Sequence, residues 1–332
     1  MGSVTVAVPV LNGGRRLAAA LDAVRAQQID HEVELLVCDS GSTDGSVQVA
    51  RERGARVLEI ERASFSHGAT RNLLMAQAAG DHVAFLTQDA VPGSVTWLTT
   101  LLSGFAEADD VGLTFGPYRA LPDAAAMTVR ELSAWFGSLA PDGRPRIDRL
   151  TPAERVAPAS TLLGARGFFT DANGAVAKAA WRDVPFRAIP YAEDQQLAVD
   201  MLRAGHAKVF VPAAAVEHSH EYSAVRRAQR CFDEWRALRE IYGWVEPLSS
   251  TTLRDRVLVP ARDDVRWARA RGATHGSLAA LAAHSVVHHA ARTVGAALGS
   301  RHAAIPPRLR RRLSLESRAT FPPLDRDNER GR

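Results

Sequence analysis

The apolar run HVAFL at residues 82–86 stops against the polar cluster Thr87, Gln88 and Asp89, and earlier segments show the same arrangement. VTVAVPV runs into Asn12, VELLV into Asp39 and Asp44, and ARVLEIE is followed by His67 and Arg71 at the start of a helical stretch. Helix-period segments separate the runs, as in RRLAAALDAVRAQ with its apolar stripe Leu17, Leu21 and Val24. Strands alternating with helices predict an α/β chain built on one mainly parallel sheet with helices on both faces. Ligands of such sheets bind at the C-terminal strand edge, so four polar clusters there point to a nucleotide and metal site.

Regularity falls between 119 and 165, where Pro122, Pro141, Pro145, Pro152 and Pro158 break any long element. Loops and short helices over a site are expected there. Beyond the gap, FFTDANGAV reads as a strand returning to the sheet, and YAEDQQLAVDMLRAG as a helix with an acidic first turn. Glu193 and Asp194 would serve such a helix terminus through its dipole, or be held rigidly toward the sheet edge. AKVFVP reads as an edge strand, followed by a long helix over 224–242.

With 332 residues and 46% hydrophobic content the chain can bury a sizeable core. Its two cysteines, Cys38 and Cys231, are too few for a disulfide framework, and the first strand leaves no room for a signal peptide. A cytoplasmic protein is expected. The apolar stretch 275–299 is interrupted by His284, His288, His289 and Arg292, which makes a helix lying on a surface more plausible than a membrane span. The net charge of +4 is modest, but Arg308, Arg310, Arg311 and Arg312 concentrate it near the end. Such a run is either a solvated face or an attraction to anionic headgroups at the inner membrane surface.

Two blocks carry a specific resemblance. VPVLN, CDSGSTD and TQDA resemble, in order and content, the nucleotide-binding half of family 2 glycosyltransferases, and FSHGATRN at 65–72 with LTQDA at 86–90 is similar to bacterial rhamnosyltransferases of that family. The resemblance implies a GT-A fold over 1–245, with a nucleotide-sugar half (1–119), an acceptor half (120–245) and a helical, basic appendage over 246–332. It implies inverting transfer of a sugar, L-rhamnose from dTDP-rhamnose in first place, to a glycan or lipid-linked acceptor hydroxyl. A UDP-linked donor, or a nucleotide-sugar-binding protein without catalysis, are the alternatives.

Roles follow residue by residue. The resemblance makes Asp194 the catalytic base and Asp39 the acceptor of the pyrimidine imide N–H, with Pro9 and Asn12 shaping the base and ribose pocket and Gln88 belonging to the same nucleotide set. Asn12, before two glycines, also reads as a turn residue, and Asp44 as the cap of the helix beginning near 45. Arg71 is a candidate clamp for diphosphate oxygens, and His67, beside Gly68, a candidate phosphate contact. Asp89 is the natural ligand for Mg²⁺ or Mn²⁺, hard cations that take oxygen donors, with His218 a candidate second ligand or diphosphate contact and His220 facing the same way. Thr87 stands where the family usually has a further aspartate, so few carboxylates hold the metal. Trp97, Trp135 and Trp181 read as core packing more than sugar platforms. No dinucleotide fingerprint follows the first strand, VLNGGRRL is a poor nucleotidyltransferase loop, and nucleic-acid binding has only the basic tail behind it. The C-terminal helices are also candidates for self-association.

Overall fold

The computed structural model describes residues 3–30, 32–161 and 164–317. Its strands are β1 (Val4–Val10), β2 (Val33–Asp39), β3 (Arg56–Glu59), β4 (His82–Leu86), β5 (Val91–Pro92), β6 (Val111–Phe115), β7 (Tyr118–Arg119), β8 (Arg146–Asp148), β9 (Asn173–Ala177), β10 (Ala207–Phe210) and β11 (Val216–Glu217). Helices α1 (Gly14–Arg25), α2 (Ser46–Glu52), α3 (His67–Gln77) and α4 (Trp97–Ser103) fall between the early strands. Later come α5 (Ala126–Leu139), α6 (Pro152–Arg155), α7 (Lys178–Asp183), α8 (Glu193–Ala204), α9 (Ala224–Tyr242), α10 (Val259–Arg269), α11 (His275–Gly299) and α12 (Pro307–Leu313).

The main sheet has the order β3-β2-β1-β4-β9-β6-β10-β8. Strands β3, β2, β1 and β4 pair in parallel, as do β6 and β10, while β9 and β8 run against their neighbours. The mainly parallel sheet is therefore present, with β9 as the antiparallel return that FFTDANGAV announced. AKVFVP is not the edge. The three residues of β8, from the proline-broken gap, pair outside β10 and cover it. Pro9 sits in a central strand without cost because the β1–β4 ladder ends at Ala7 opposite Phe85, so no neighbour needs the missing N–H.

Alternate residues of β1 face two different cores. Val4, Val6, Val8 and Val10 join Leu17, Leu21 and Trp97 on one side, while Ala7 packs with Leu74, Phe85 and Phe115 on the other. Trp97 is fully buried with its indole N–H on Asn173, and Trp181 donates to Asn72, so both are structural. Trp135 is partly exposed with its ring edge toward Phe168.

The late helices are packed onto the rest of the chain. Helix α11 lies along α9, and α10 contacts both α11 and α5. A Cβ at Gly295 or Gly299 would stand 2.3 Å from the carbonyl oxygen of Ala228 or Phe232, so only glycine allows the two helices to cross this closely. Between α5, α10 and α11 lies a polar network in which His288 and Arg292 meet Glu131 and His289 meets Asp264. Among the described residues no helix is long and apolar enough to cross a membrane. The last part of the expected appendage, 318–332, lies outside the described residues.

Candidate active site

The site is assembled where β1, β2 and β4 end. The turn after β1 is tied to the turn after β2: the amides of Asn12, Gly13 and Gly14 donate to Ser42 Oγ, Ser46 Oγ and Asp44 Oδ2. Asp44 Oδ1 also accepts the Ser46 amide at the start of α2, but the N-cap position itself is Gly45, in the left-handed region at φ 86, so Asp44 stands one residue ahead of the capping position read for it. These amides at the N-terminus of α1 are thereby satisfied, and they are not available to a phosphate.

Asn12 lies in the left-handed region at φ 51 and its Oδ1 accepts the Thr43 amide at 2.8 Å. This makes it a bridge between the two turns, so its carbonyl oxygen is not free for ribose. Gln88 is likewise engaged: its side chain accepts from the Leu11 amide at 2.8 Å and donates to the Leu11 carbonyl at 3.1 Å, extending the β1–β4 pairing beyond the strands. Asp39 differs. Its Oδ2 accepts the amides of Gly41 and Ser42, while its buried Oδ1 has no hydrogen-bond partner. A buried carboxylate oxygen without a donor is an acceptor waiting for one.

Asp89 stands with two histidines. His218 Nδ1 is 3.6 Å and His220 Nε2 3.5 Å from the two oxygens of Asp89, and one ligand atom from each of the three lies within 4.8 Å of the others. The imidazoles are perpendicular at 4.7 Å, with Tyr118 edge-on to His218 and Tyr222 stacked on His220. Burial, reinforced by His220 and opposed by Asp89, pushes the His218 imidazolium down to about 4, so the ring is neutral near pH 7. Its Nδ1 is buried without a hydrogen bond. One carboxylate and two imidazoles, with His218 Nδ1 left without a hydrogen bond, fit a divalent cation that keeps open positions. An open cavity of about 350 Å³ adjoins them, lined by Asp89, His220, Ser219, Asp123 and Arg16.

Arg71 is placed otherwise than the diphosphate-clamp reading expects. It is 3% exposed, with Nε paired to Asp171 and Nη1 2.9 Å from Glu193. Both edges of its planar fork meet carboxylates, so it neutralises an acidic cluster instead of facing phosphate. Arg16, on the first turn of α1 beside the cavity, is the exposed cation near Asp89. Gly68 also serves another partner: a Cβ there would be 2.0 Å from the Arg187 carbonyl oxygen, so the residue admits backbone. His67 Nδ1 lies 4.0 Å from Glu193, and its Nε2 3.7 Å from Glu316.

The acidic cluster contains Asp194. Ala192, two residues earlier, is in the left-handed region at φ 59, a conformation costing about 1–3 kcal/mol for a residue with a Cβ and concentrated at functional sites. Pro190 precedes Tyr191, whose ring carries the Arg230 guanidinium at 4.5 Å. Burial first, and then the neighbouring Asp171 and Glu193 charges, raise the Asp194 carboxyl well above its ordinary range, with Arg71 moderating the effect. The same burial lifts Asp171 to about 7. For Glu193, burial is outweighed by Arg71 and then His67, and the carboxyl is held below its usual value. With Glu193 held low and Asp171 and Asp194 raised, the cluster around Arg71 contains carboxylates that take up a proton readily.

Asp171, Arg16, Arg230 and Glu316 were not found from the sequence. Arg16 follows a recognisable strand end and Asp171 sits inside FFTDANG, but nothing local marks Arg230 or Glu316.

Residues 5–153 match Glycosyl transferase family 2. That stretch of the chain carries a family 2 glycosyltransferase domain. The chain is 28% identical over 233 residues to the O-antigen chain rhamnosyltransferase RfbN of Salmonella typhimurium, covering 69% of this chain and 70% of that one. To the O-antigen chain rhamnosyltransferase WbaN of Salmonella anatum it is 29% identical over 243 residues, covering 70% and 71%. Among solved structures, the mannosyltransferase PcManGT of Pyrobaculum calidifontis, in complex with GDP-Man and Mn²⁺, superposes with a TM-score of 0.56 at 18% identity over 91% of this chain and 88% of that one. That likeness establishes the GT-A fold. The matched stretch holds the polar ends of β1, β2 and β4, and residues beyond it supply the histidines of the Asp–His–His group and the Asp171, Glu193 and Asp194 carboxylates.

Proposed function

We propose that this glycosyltransferase moves L-rhamnose from dTDP-rhamnose to an acceptor hydroxyl with inversion. The observation that carries the chemistry is the raised Asp194 carboxyl beside Arg71: a carboxylate reluctant to stay ionised takes a proton readily from an attacking hydroxyl. Donor identity rests on the two rhamnosyltransferase relatives. Asp39 Oδ1 accepts the imide N–H of the base, a donor that thymine and uracil share. Pro9, half-buried at the end of β1, borders the base pocket. Asp89, His218 and His220 hold Mg²⁺ or Mn²⁺, which when bound supplies positive charge to the departing diphosphate. Arg16 adds charge there, while His67 belongs to the acceptor side.

Stabilisation by binding tests the donor. In the presence of Mn²⁺, dTDP-rhamnose raises the Tm more than UDP-glucose, UDP-N-acetylglucosamine or GDP-mannose at equal concentration; a donor at 100 times its Kd adds about 2.7 kcal/mol. A larger shift with a UDP sugar overturns the rhamnosyl assignment and leaves the fold and family intact.

We propose further that residues 246–332 act as a docking appendage for a lipid-linked acceptor at the inner membrane face. Val287, Val294 and Leu298 are exposed on α11, and Leu309 is exposed among Arg308, Arg311 and Arg312 of α12. Apolar and basic groups together suit an anionic interface. Wild-type protein is expected to co-sediment with anionic vesicles more than with neutral ones, and replacing Arg308, Arg310, Arg311 and Arg312 by Gln reduces the difference. Equal sedimentation with both vesicle types points to self-association through these helices instead.

A further inference from the structure

Helix α9 grows directly out of the metal corner, because Tyr222, stacked on His220, is followed by Ser223, whose hydroxyl accepts the Arg226 amide and starts the helix. Arg227 and Arg230 come next, three residues apart on one helix face. The Arg227 guanidinium lies over the Tyr222 ring at 5.8 Å, and that of Arg230 over the ring of Tyr191, in the turn that leads into Glu193 and Asp194, at 4.5 Å. One cation therefore belongs to the Asp89 corner and the other to the carboxylate cluster. Burial raises the Tyr118 hydroxyl, with Asp194 and Asp171 adding to the effect and Arg230 opposing it, so Arg230 and these carboxylates surround the same phenol. Neither guanidinium has an ion pair or a side-chain hydrogen bond among the described residues. Burial holds the Arg227 guanidinium below its ordinary value, and Glu131, the carboxylate that opposes this most, is already engaged by His288 and Arg292. Arg71 likewise neutralises Asp171 and Glu193, which leaves the two cations of α9 unbalanced.

We infer that Arg227 and Arg230 bind a phosphoryl group of the acceptor, beside the space between Asp89 and Asp194 where the acceptor hydroxyl is delivered. A part-buried cation without a counter-ion is costly, so the pair is built for an anion that arrives with a substrate. The ring faces of Tyr222 and Tyr191 cover the flat sides of the guanidiniums and leave their N–H edges, the groups that take phosphate oxygens in pairs. Arg230 Nη1 is closed off without a hydrogen bond, and the remaining guanidinium nitrogens of the two residues are not. The departing diphosphate belongs with Asp89 and Arg16, whereas Arg230 stands on the Tyr191 side with the base, which assigns the pair to the acceptor. A neutral saccharide leaves both charges unmatched, so the site selects anionic acceptors. The inference rests on the transferase reading of Asp194 and Asp89.

The test uses the full-length chain saturated with dTDP and Mn²⁺, so that the donor site is filled and a sugar phosphate must bind elsewhere. Calorimetry compares α-D-glucose 1-phosphate and α-D-galactose 1-phosphate with the methyl α-glycosides of the same sugars. The phosphates are expected to bind about ten- to hundred-fold tighter, the range for hydrogen bonds to a charged group, and to weaken as salt is raised. Arg227→Gln combined with Arg230→Gln removes this advantage, while lysine at both positions recovers part of it by keeping the charge and losing the planar fork. Each single glutamine variant loses part of the advantage, which keeps the test readable if the double variant folds poorly. Affinity for dTDP stays within a few-fold of wild type throughout. Equal affinity of wild type for phosphates and methyl glycosides overturns the inference, as does an advantage that survives in the glutamine variants. A matching loss of dTDP affinity also overturns it and moves the pair to the donor diphosphate. Failure of wild type to bind dTDP at all is a different result: it counts against the donor reading, and the phosphate is then compared with the methyl glycoside on the unliganded protein.

Discussion

Asp194→Asn is expected to lower kcat by about 10²–10⁴ while leaving donor affinity within a few-fold of wild type, because the amide keeps the shape of the carboxylate but cannot take a proton. The pH profile gives an independent check. A base must be ionised to act, and burial together with the Asp171 and Glu193 charges raises Asp194 well above its ordinary value, so wild-type kcat/KM climbs as pH rises through that raised value. In the variant this acidic limb flattens. Stability moves the opposite way. A carboxyl raised in the folded state favours folding while protonated, and that contribution is lost as pH rises from the unfolded-state value through the folded one. Asparagine does not titrate, so the Tm difference between Asp194→Asn and wild type is expected to move in the variant's favour as pH rises through the raised value. Wild-type turnover by Asp194→Asn at saturating acceptor would remove Asp194 from the mechanism.

The second large effect concerns Asp89→Ala. Asp89 is the only carboxylate of its group, and His218 and His220 each lie against one of its two oxygens. Without it the cation is left with two imidazoles, which suit Mg²⁺ and Mn²⁺ poorly. A loss of about 10²–10³ in kcat is expected, the scale for removing one group that stabilises charge developing on a leaving group. EDTA is expected to abolish most wild-type turnover and to change the variant little. Titration calorimetry separates the steps: donor affinity in the wild type depends on Mn²⁺, and in Asp89→Ala it does not. Equal donor affinity with and without metal in both proteins would sink the metal site.

The polar strand ends were legible because each closes an apolar run, and a parallel sheet has only one edge for them to share. Asp39, Asp89, Asp194 and His218 could be chosen from residue type and position: Asp39 closes β2 and Asp89 follows β4, whereas Asp194 begins α8 and His218 follows β11 of the smaller sheet. Arg71 shows the limit of this reasoning. Its block resembles rhamnosyltransferases, yet its guanidinium faces Asp171 and Glu193, 100 and 122 residues further along, and only β9 and α8 folding back beside β4 bring those carboxylates to it. Gln88 and Asn12 show a similar limit, since a polar side chain at a strand end serves the neighbouring backbone as readily as a ligand, and the turn reading of Asn12 is the one its hydrogen bond matches.

What the sequence by itself determined was the architecture of the first 119 residues and the place of the reacting edge. Hydrophobic period and turn chemistry are local, and parallel strands leave a polar mark where they end. Tertiary structure alone decided which charges are spent on each other. It buried Arg71, left Arg16 beside the cavity, and through Asp233 carried Glu316 from beyond the last helix to His67. These pairings depend on long-range closure, and no spacing along the chain encodes which side of a carboxylate will meet a cation.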